Sequence, residues 1–233
     1  MLLLRRSPTF KYEAGTNRRV HAFSDLATAA YCPRKLYYRL RDGDHETPAA
    51  VERRRALAFR YPELLDSAAD LAAEPIEPTP TQFRANLGRA RELDAWEGLC
   101  APARTNALLE GREARGIAHK ILTEPLAVSV VSAGSPPDEG AWRPQTVRAV
   151  AAAKALSWEE GVEVGHAYVE YPAHGVVRKL GLSTRRKALY REAVTRAESI
   201  DGPPARLSDD ARCDPCEYRE QCGVKTRSLR SLL

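Results

Sequence analysis

The stretch Leu126-Ala-Val-Ser-Val-Val-Ser132 decides the fold class, because it is short, rich in β-branched residues and followed by a turn-rich loop. These features predict a β-strand. An alanine-rich helical segment follows at 144–156, and two further strand candidates lie at 162–171 and 176–182. The short connection at 172–175 between them favours an antiparallel hairpin. Strands that alternate with helices in this order predict an α/β protein with a small mixed sheet flanked by helices.

The first half of the chain is predicted to be mainly helical. Apolar residues recur at helical spacing over 81–97, where Thr81 is the candidate N-cap, and over 102–122. The length fits a single domain over 1–233. Within that domain we expect residues 44–110 to form a helical insertion or lobe.

Composition is typical of a soluble globular protein, with 43% hydrophobic and 29% charged residues. Lys+Arg of 36 against Asp+Glu of 31 gives a net charge of +5, too small to indicate nucleic-acid binding by itself. No stretch approaches the roughly 18 apolar residues of a membrane span. Met1–Arg6 places its leucines before its arginines, the reverse of a secretory signal. We therefore expect a cytoplasmic protein with no membrane partner.

The strongest local motif is a group of three cysteines with the spacing Cys-x-x-Cys-x5-Cys over Cys213–Cys222. In a reducing compartment such a group indicates metal binding or catalysis rather than disulfides. Soft thiolate ligands favour zinc or an iron–sulfur cluster over hard cations. Both kinds of site usually take four ligands, so one more ligand is expected from elsewhere.

Two other cysteines, Cys32 and Cys100, could supply the fourth ligand. We favour Cys32, because its neighbours Arg34 and Lys35 would offset the negative charge of a thiolate-bound centre. Cys100 is expected to be a small buried side chain, as free cysteines often are. A centre that joins Cys32 to the distal group would link two remote parts of the chain, and metal loss would then be coupled to unfolding.

Two motifs together, Tyr31-Cys-Pro-Arg-Lys-Leu-Tyr-Tyr38 and the cysteines of Cys213–Cys222, resemble the CRISPR-associated RecB-like exonucleases, the Cas-four family. One cysteine before the nuclease core and three after it is the arrangement of that group. The resemblance implies a restriction-endonuclease-like core and a DNA end-processing activity that needs Mg²⁺ or Mn²⁺, in CRISPR spacer acquisition or in repair. It also implies a [4Fe–4S] cluster on Cys32, Cys213, Cys216 and Cys222.

The same resemblance implies a hydrolytic site that this sequence does not carry in full. The family holds its divalent ion with an Asp and a Glu, and a Lys stands two positions after the Glu; a His on a preceding helix often joins the metal shell. Arg115–His119 matches the histidine motif, so His119 is the candidate catalytic residue. The strand at 128–132 has no carboxylate, and no Asp or Glu stands two positions before any lysine. We therefore expect a nuclease-like scaffold that binds DNA with weak or absent nuclease activity.

Two alternatives remain open. In the first, the protein is an active exonuclease whose site is rebuilt from Asp138 or Glu139 with His119 and Glu170, although Asp138 and Glu139 also fit a solvated turn. In the second, the cysteines hold zinc and the chain is an interaction module without a DNA role.

Basic residues cluster in two places that could hold DNA phosphates. Arg34 and Lys35 lie on one short element, and Arg185, Arg186 and Lys187 open the last predicted helix. Cations in the first turn of a helix oppose the helix dipole, which favours an external anion there. The ordinary alternative is a solvated face. The partners implied are single-stranded DNA or DNA ends, and CRISPR adaptation proteins.

Overall fold

The computed structural model describes residues 19–43, 46–207 and 210–223 and confirms an α/β fold. Met1–Arg6, on which the expectation about a secretory signal rests, lies outside these residues. Within them, six strands form one mixed sheet. The strands are β1 His21–Ala22, β2 Arg104–Glu110, β3 Ala114–Thr123, β4 Leu126–Val131, β5 His166–Tyr171 and β6 Val176–Gly181.

Helices cover both faces of this sheet. They are α1 Phe23–Tyr31, α2 Pro33–Asp42, α3 Ala49–Ala56, α4 Tyr61–Leu65, α5 Pro80–Arg91, α6 Trp96–Cys100, α7 Arg143–Glu160, α8 Thr184–Glu198 and α9 Asp210–Cys213. Short 3₁₀ turns occupy Leu57–Phe59 and Pro172–His174. Over the described part of the chain, no helix combines the length and apolar character that crossing a membrane requires.

The sheet order is β1-β3-β4-β5-β6, and β2 also pairs with β3. Strands β2, β3 and β4 run antiparallel in sequence order, and β5 and β6 form an antiparallel hairpin. Strand β4 pairs with β5 in parallel, with α7 as the crossover between them. The short β1 pairs in parallel with the beginning of β3 and leads directly into α1.

Two hydrophobic cores lie on opposite faces of the sheet. Helices α1, α7 and α8 pack on one face, where the alanines of α7 let the helix approach the strands closely. Helices α4, α5 and α6 pack on the other face, against Leu122, Ala127, Val131 and Tyr168 of the central strands. The alternation of side chains along β4 and β5 assigns successive residues to the two cores.

Three sequence predictions can be compared directly with this architecture. The strand at 126–132 and the antiparallel hairpin around 172–175 are confirmed. The predicted helix over 102–122 is wrong, because these residues form β2 and β3. Its alanines, leucines and arginines are good helix formers, but pairing with β4 overrides that weak preference.

The helix predicted over 81–97 is also corrected in its bounds. Helix α5 begins at Pro80 and ends at Arg91, and its N-cap is Thr79 instead of Thr81. The Thr79 hydroxyl accepts a hydrogen bond from the backbone N–H of Gln82 at 3.3 Å. A proline in the first helical turn costs no hydrogen bond, which allows the helix to start there.

Candidate functional site

The four cysteines of the predicted metal centre line one cavity. Cys32 lies in the extended joint between α1 and α2, where Pro33 opens the second helix. Cys213 is the last residue of α9, and Cys216 and Cys222 lie in the turns after it. The backbone N–H of Cys216 donates to the carbonyl of Cys213, and that of Cys222 donates to the carbonyl of Tyr218. The cavity has an empty volume of about 430 Å³, including its opening to solvent, and its lining includes Cys32, Cys213, Cys216, Cys222, Arg34 and Lys35.

Direct contacts hold the two halves of this cavity together. The Tyr31 hydroxyl donates to the carbonyl of Arg212 at 2.6 Å, and the Tyr38 hydroxyl donates to the carbonyl of Gln221 at 3.1 Å. The rings of Tyr38 and Tyr218 stack with their centroids 5.5 Å apart. The end of α1 and the first turns of α2 therefore dock on the distal cysteine segment through direct protein contacts.

The two basic residues next to Cys32 also bind the distal segment. Arg34 Nη1 donates to the carbonyl of Pro204 at 2.8 Å, and Lys35 Nζ pairs with Glu217 at 2.9 Å. The pKa of Arg34 is raised, first by its hydrogen bond with Tyr38 and also by Cys222. These predicted DNA-binding residues thus lie beside the thiols, as charge compensation at Cys32 requires.

The same cysteines affect the pKa of the Tyr31 hydroxyl. Its pKa is raised, first by burial and then by electrostatic interaction with Cys216 and Cys213. Across residues 19–43, 46–207 and 210–223, however, no three His, Cys, Asp or Glu side chains are grouped closely enough to hold a metal ion. The structure thus brings the cysteines to one cavity without forming a finished metal site.

The remaining cysteine lies elsewhere. Cys100 ends α6 and packs, half-buried, against the core that contains Leu122. Burial raises the pKa of its thiol to about 11, which opposes the thiolate form that a metal ligand needs. This placement matches the structural role expected for Cys100.

A buried polar network crosses the three central strands. Lys120 on β3 and Glu170 on β5 are both fully buried, and Lys120 Nζ lies 2.8 Å from Glu170 Oε2. Ser129 on β4 donates to the other carboxylate oxygen at 2.5 Å. Lys120 Nζ also donates to the carbonyls of Ala58 and Leu99 at 2.6 and 2.8 Å, so it ties the outer helices to the sheet.

This network occupies one of the carboxylates proposed for a rebuilt hydrolytic site. Glu170 is engaged by Lys120 and Ser129, and its negative charge contributes to the raised pKa of Tyr61, after burial. Asp138 and Glu139 are exposed on the loop before α7, where the Asp138 carbonyl accepts a hydrogen bond from Arg178.

His119 lies on strand β3 and not on a helix, which corrects the context expected from the histidine motif. Its Nδ1 accepts a hydrogen bond from the backbone N–H of Val131 at 2.9 Å. Burial, with Arg148, Arg55 and Lys120 nearby, lowers the pKa of His119 to about 3, so the ring is neutral. A neutral imidazole that accepts at Nδ1 carries its proton on Nε2, which then presents a donor and not a metal ligand.

The basic residues that open α8 lie on the surface. Arg185 is exposed, Arg186 donates to the carbonyl of Gly181, and Lys187 pairs with Glu163 at 3.3 Å. Their helix is capped by the Ser183 hydroxyl, which accepts a hydrogen bond from the backbone N–H of Arg186.

Sequence reasoning missed Lys120 and Ser129 as partners of Glu170, and it also missed the largely buried Arg148. A signal was present for two of them, because each interrupts an apolar run: Lys120 precedes Ile121 and Leu122, and Arg148 stands in the alanine-rich α7. Charged residues in such runs are buried only with partners or for a function.

A comparison with protein-family models found no match to this chain. A comparison with curated proteins found none either.

Proposed function

We propose that this chain is an iron–sulfur protein of the RecB-like, Cas-four type, which binds single-stranded DNA or DNA ends in CRISPR adaptation or DNA repair without hydrolysing DNA. The observation that carries the proposal is the shared cavity of Cys32 and the cysteines of Cys213–Cys222. A restriction-endonuclease-like core is part of the proposal. It is supported by the order of the β5–β6 hairpin, the basic helix α8 and the distal cysteines.

The donor set fits a cubane cluster with four thiolate ligands. Four thiolates concentrate negative charge, and Arg34 and Lys35 in the same cavity offset it. When bound, the cluster would supply a covalent closure between distant segments. For a loop of this size such a closure stabilises by on the order of 5 kcal/mol in the chain-entropy model. The cysteine side chains must close on the metal, so binding should tighten the segment after α9.

The proposed lack of hydrolysis is supported by the positions of the candidate carboxylates. Glu170 is buried against Lys120 and Ser129, while Asp138 and Glu139 face solvent on a loop. The Nδ1 lone pair of His119 accepts the Val131 N–H, and Nε2 carries the proton. The ring therefore offers no free lone pair to a metal ion. We expect no cleavage of single-stranded DNA with Mn²⁺. Robust cleavage that His119→Ala abolishes would overturn this part of the proposal.

Metal analysis after anaerobic purification tests the cluster. We expect about four irons and four acid-labile sulfides per chain, with visible absorption, as for a [4Fe–4S] centre. Stoichiometric zinc without iron or sulfide would support the zinc-stapled interaction module instead.

DNA binding is tested by titrating a labelled single-stranded oligonucleotide at several salt concentrations. Binding through phosphates predicts an affinity that falls linearly with salt on logarithmic axes. The exposed Arg185 opens α8 next to Arg186 and Lys187, so Arg185→Gln is expected to reduce the slope by about 0.7 for a single strand. No binding at low salt would contradict a DNA role.

A further inference from the structure

A second cavity, an open groove with a volume of about 570 Å³, lies apart from the cysteine cavity. It is formed by the turn between β2 and β3, the second half of α7, the loop that follows α7, and the first half of α8. None of the residues that line it also lines the cysteine cavity. Its volume falls within the range of about 300–1,000 Å³ that is usual for small-molecule sites.

Hydrogen bonds between its walls hold this groove in shape. The Tyr190 hydroxyl of α8 donates to the Glu113 carboxylate in the turn between β2 and β3 at 3.2 Å. The backbone N–H of Val164 donates to the Ser157 hydroxyl at 2.9 Å, which ties the loop after α7 to that helix. A ligand would therefore enter a groove that is already formed, and little ordering would oppose its binding.

The charges of the groove favour an anionic ligand. Its lining carries three cations and two carboxylates. One cation, Lys187, pairs with Glu163 at 3.3 Å. The other two, Arg112 and Lys154, make no ion pair with any residue that the structure describes. Lys154 Nζ lies 5.2 Å from the centroid of the Tyr190 ring, another residue of the lining, so its ammonium group is placed at the groove.

The same groove has an aromatic side chain at its surface. Trp158 lines it and is 49% exposed. Trp158 follows Lys154 by four positions on α7, so the two side chains lie on one helix face with their Cβ atoms about 5–6 Å apart. An aromatic ring beside a cation is suited to a ligand that has both a flat base for stacking and a phosphate.

We propose that this groove binds a nucleoside phosphate, whose base stacks on Trp158 and whose phosphate is held by Lys154 and Arg112. A free nucleotide and a nucleotide within a single strand present the same base and phosphate. The site itself goes beyond the proposed function, and only its use for a DNA strand rests on that function.

Stacking on Trp158 is tested by equilibrium dialysis of the full-length protein with deoxyadenosine monophosphate. Trp158→Ala should weaken binding about tenfold or more, whereas Trp158→Phe keeps a ring and should stay within about threefold of the wild type. The matched control is Trp142→Ala, because Trp142 is 53% exposed and lies outside the groove lining. No saturable binding to the wild type, or an equal loss in Trp142→Ala, would overturn the site.

The phosphate contact is tested with Lys154→Gln and two partial ligands. This variant should weaken binding of deoxyadenosine monophosphate about tenfold and leave deoxyadenosine, which has no phosphate, unchanged. Arg91→Gln, which removes an exposed arginine at the end of α5, is the control. Unchanged nucleotide binding in Lys154→Gln would refute the phosphate contact. Equal affinity of the wild type for deoxyribose 5-phosphate, which has no base, would refute the stacking.

The side chains of Trp158 and Lys154 are exposed, so both variants should keep the melting temperature of the wild type. If Trp158→Ala does not fold, Lys154→Gln and the two partial ligands decide the test.

The source of the nucleotide is tested with a single-stranded oligodeoxyadenylate. If a strand occupies the groove, Trp158→Ala and Lys154→Gln should weaken its binding by the factors measured for the mononucleotide. Unchanged binding of the oligonucleotide would overturn the use of the groove for DNA and assign it to free nucleotides. A wild type that binds the mononucleotide but no oligonucleotide would refute the proposed function and leave the groove site standing.

Discussion

The Tyr31 hydroxyl donates a hydrogen bond to the carbonyl of Arg212 at 2.6 Å, across 181 positions of sequence. The Arg212 side chain donates back to the carbonyl of Tyr31 at 3.3 Å. Cys32 follows Tyr31 directly and Cys213 follows Arg212 directly. This reciprocal pair therefore holds Cys32 and Cys213 at the same cavity.

Tyr31→Phe removes one of these hydrogen bonds and should loosen the cavity. We expect a loss of about 0.5–1.5 kcal/mol in the free energy of unfolding, the usual net value of one hydrogen bond. The bound metal should also be lost to a chelator faster than from the wild type. Tyr37→Phe is the matched control, since Tyr37 is not part of the cavity lining. Equal rates of metal loss in Tyr31→Phe and the wild type would show that this contact does not position the cysteines.

Lys120→Met should be strongly destabilising. It leaves the buried Glu170 carboxylate without its cation and the carbonyls of Ala58 and Leu99 without their donor. Breaking a buried ion pair in this way costs about 3–5 kcal/mol. The measurement is urea unfolding of the wild type and the variant at pH 7.

The double variant Lys120→Met with Glu170→Leu separates the charge effect from packing, because it removes both ions. It should recover a large part of the loss. Lys179→Met is the control, because the pair of Lys179 with Asp94 is exposed and should contribute less than about 1 kcal/mol. Equal losses for Lys120→Met and Lys179→Met would contradict the importance of burial.

His119 should make the fold sensitive to acid. Its folded pKa is about 3 and lies below its ordinary value of 6.5, so the unfolded chain takes up a proton that the folded chain does not. Stability therefore falls as pH decreases from 6.5 toward 3, and is unaffected by this group above that window. At pH 5 this effect lowers the free energy of unfolding by about 2 kcal/mol, because each pH unit below 6.5 costs about 1.36 kcal/mol.

The His119 prediction is checked by comparing unfolding free energies at pH 5 and pH 7.5. The pH dependence should be smaller in His119→Gln than in the wild type by about that amount. An identical pH dependence in both proteins would mean that His119 titrates normally in the folded state.

Gly175 should not tolerate a side chain. It has φ of +65° in the turn between β5 and β6, and an added Cβ would lie 2.8 Å from the carbonyl oxygen of Phe83. Gly175→Ala is expected to cost about 1–3 kcal/mol through backbone strain and this close contact. Gly181→Ala, at the end of β6 with open space around it, should change stability by less than about 0.5 kcal/mol. Thermal unfolding of both variants gives the comparison, and similar melting temperatures would refute the prediction.

The part of the fold that the sequence predicted is the part with local signals. The β-branched stretch that became β4 and the short connection to β6 carry their structure in their own residues. Strands β2 and β3 do not, because Ala107, Leu108 and Leu109 are helix formers that become strand only through pairing with distant residues.

In the candidate site, too, features with a local sequence signal were predicted and features formed by distant residues were not. Cysteine spacing identified three of the four thiols that line the cavity, because metal ligands often recur at short intervals, and the basic neighbours of Cys32 indicated the fourth. The Lys120–Glu170 pair was not predicted, since its partners lie 50 positions apart and meet only across the sheet.

The most direct test of the central claim is the iron content of two matched cysteine variants after anaerobic purification. Cys32→Ala should lose most of its iron, its visible absorption and part of its thermal stability, because Cys32 lines the cavity with the distal cysteines. Cys100→Ala should keep the iron, because Cys100 packs in a separate core. Full iron content in Cys32→Ala, or equal loss in both variants, would contradict a shared cluster.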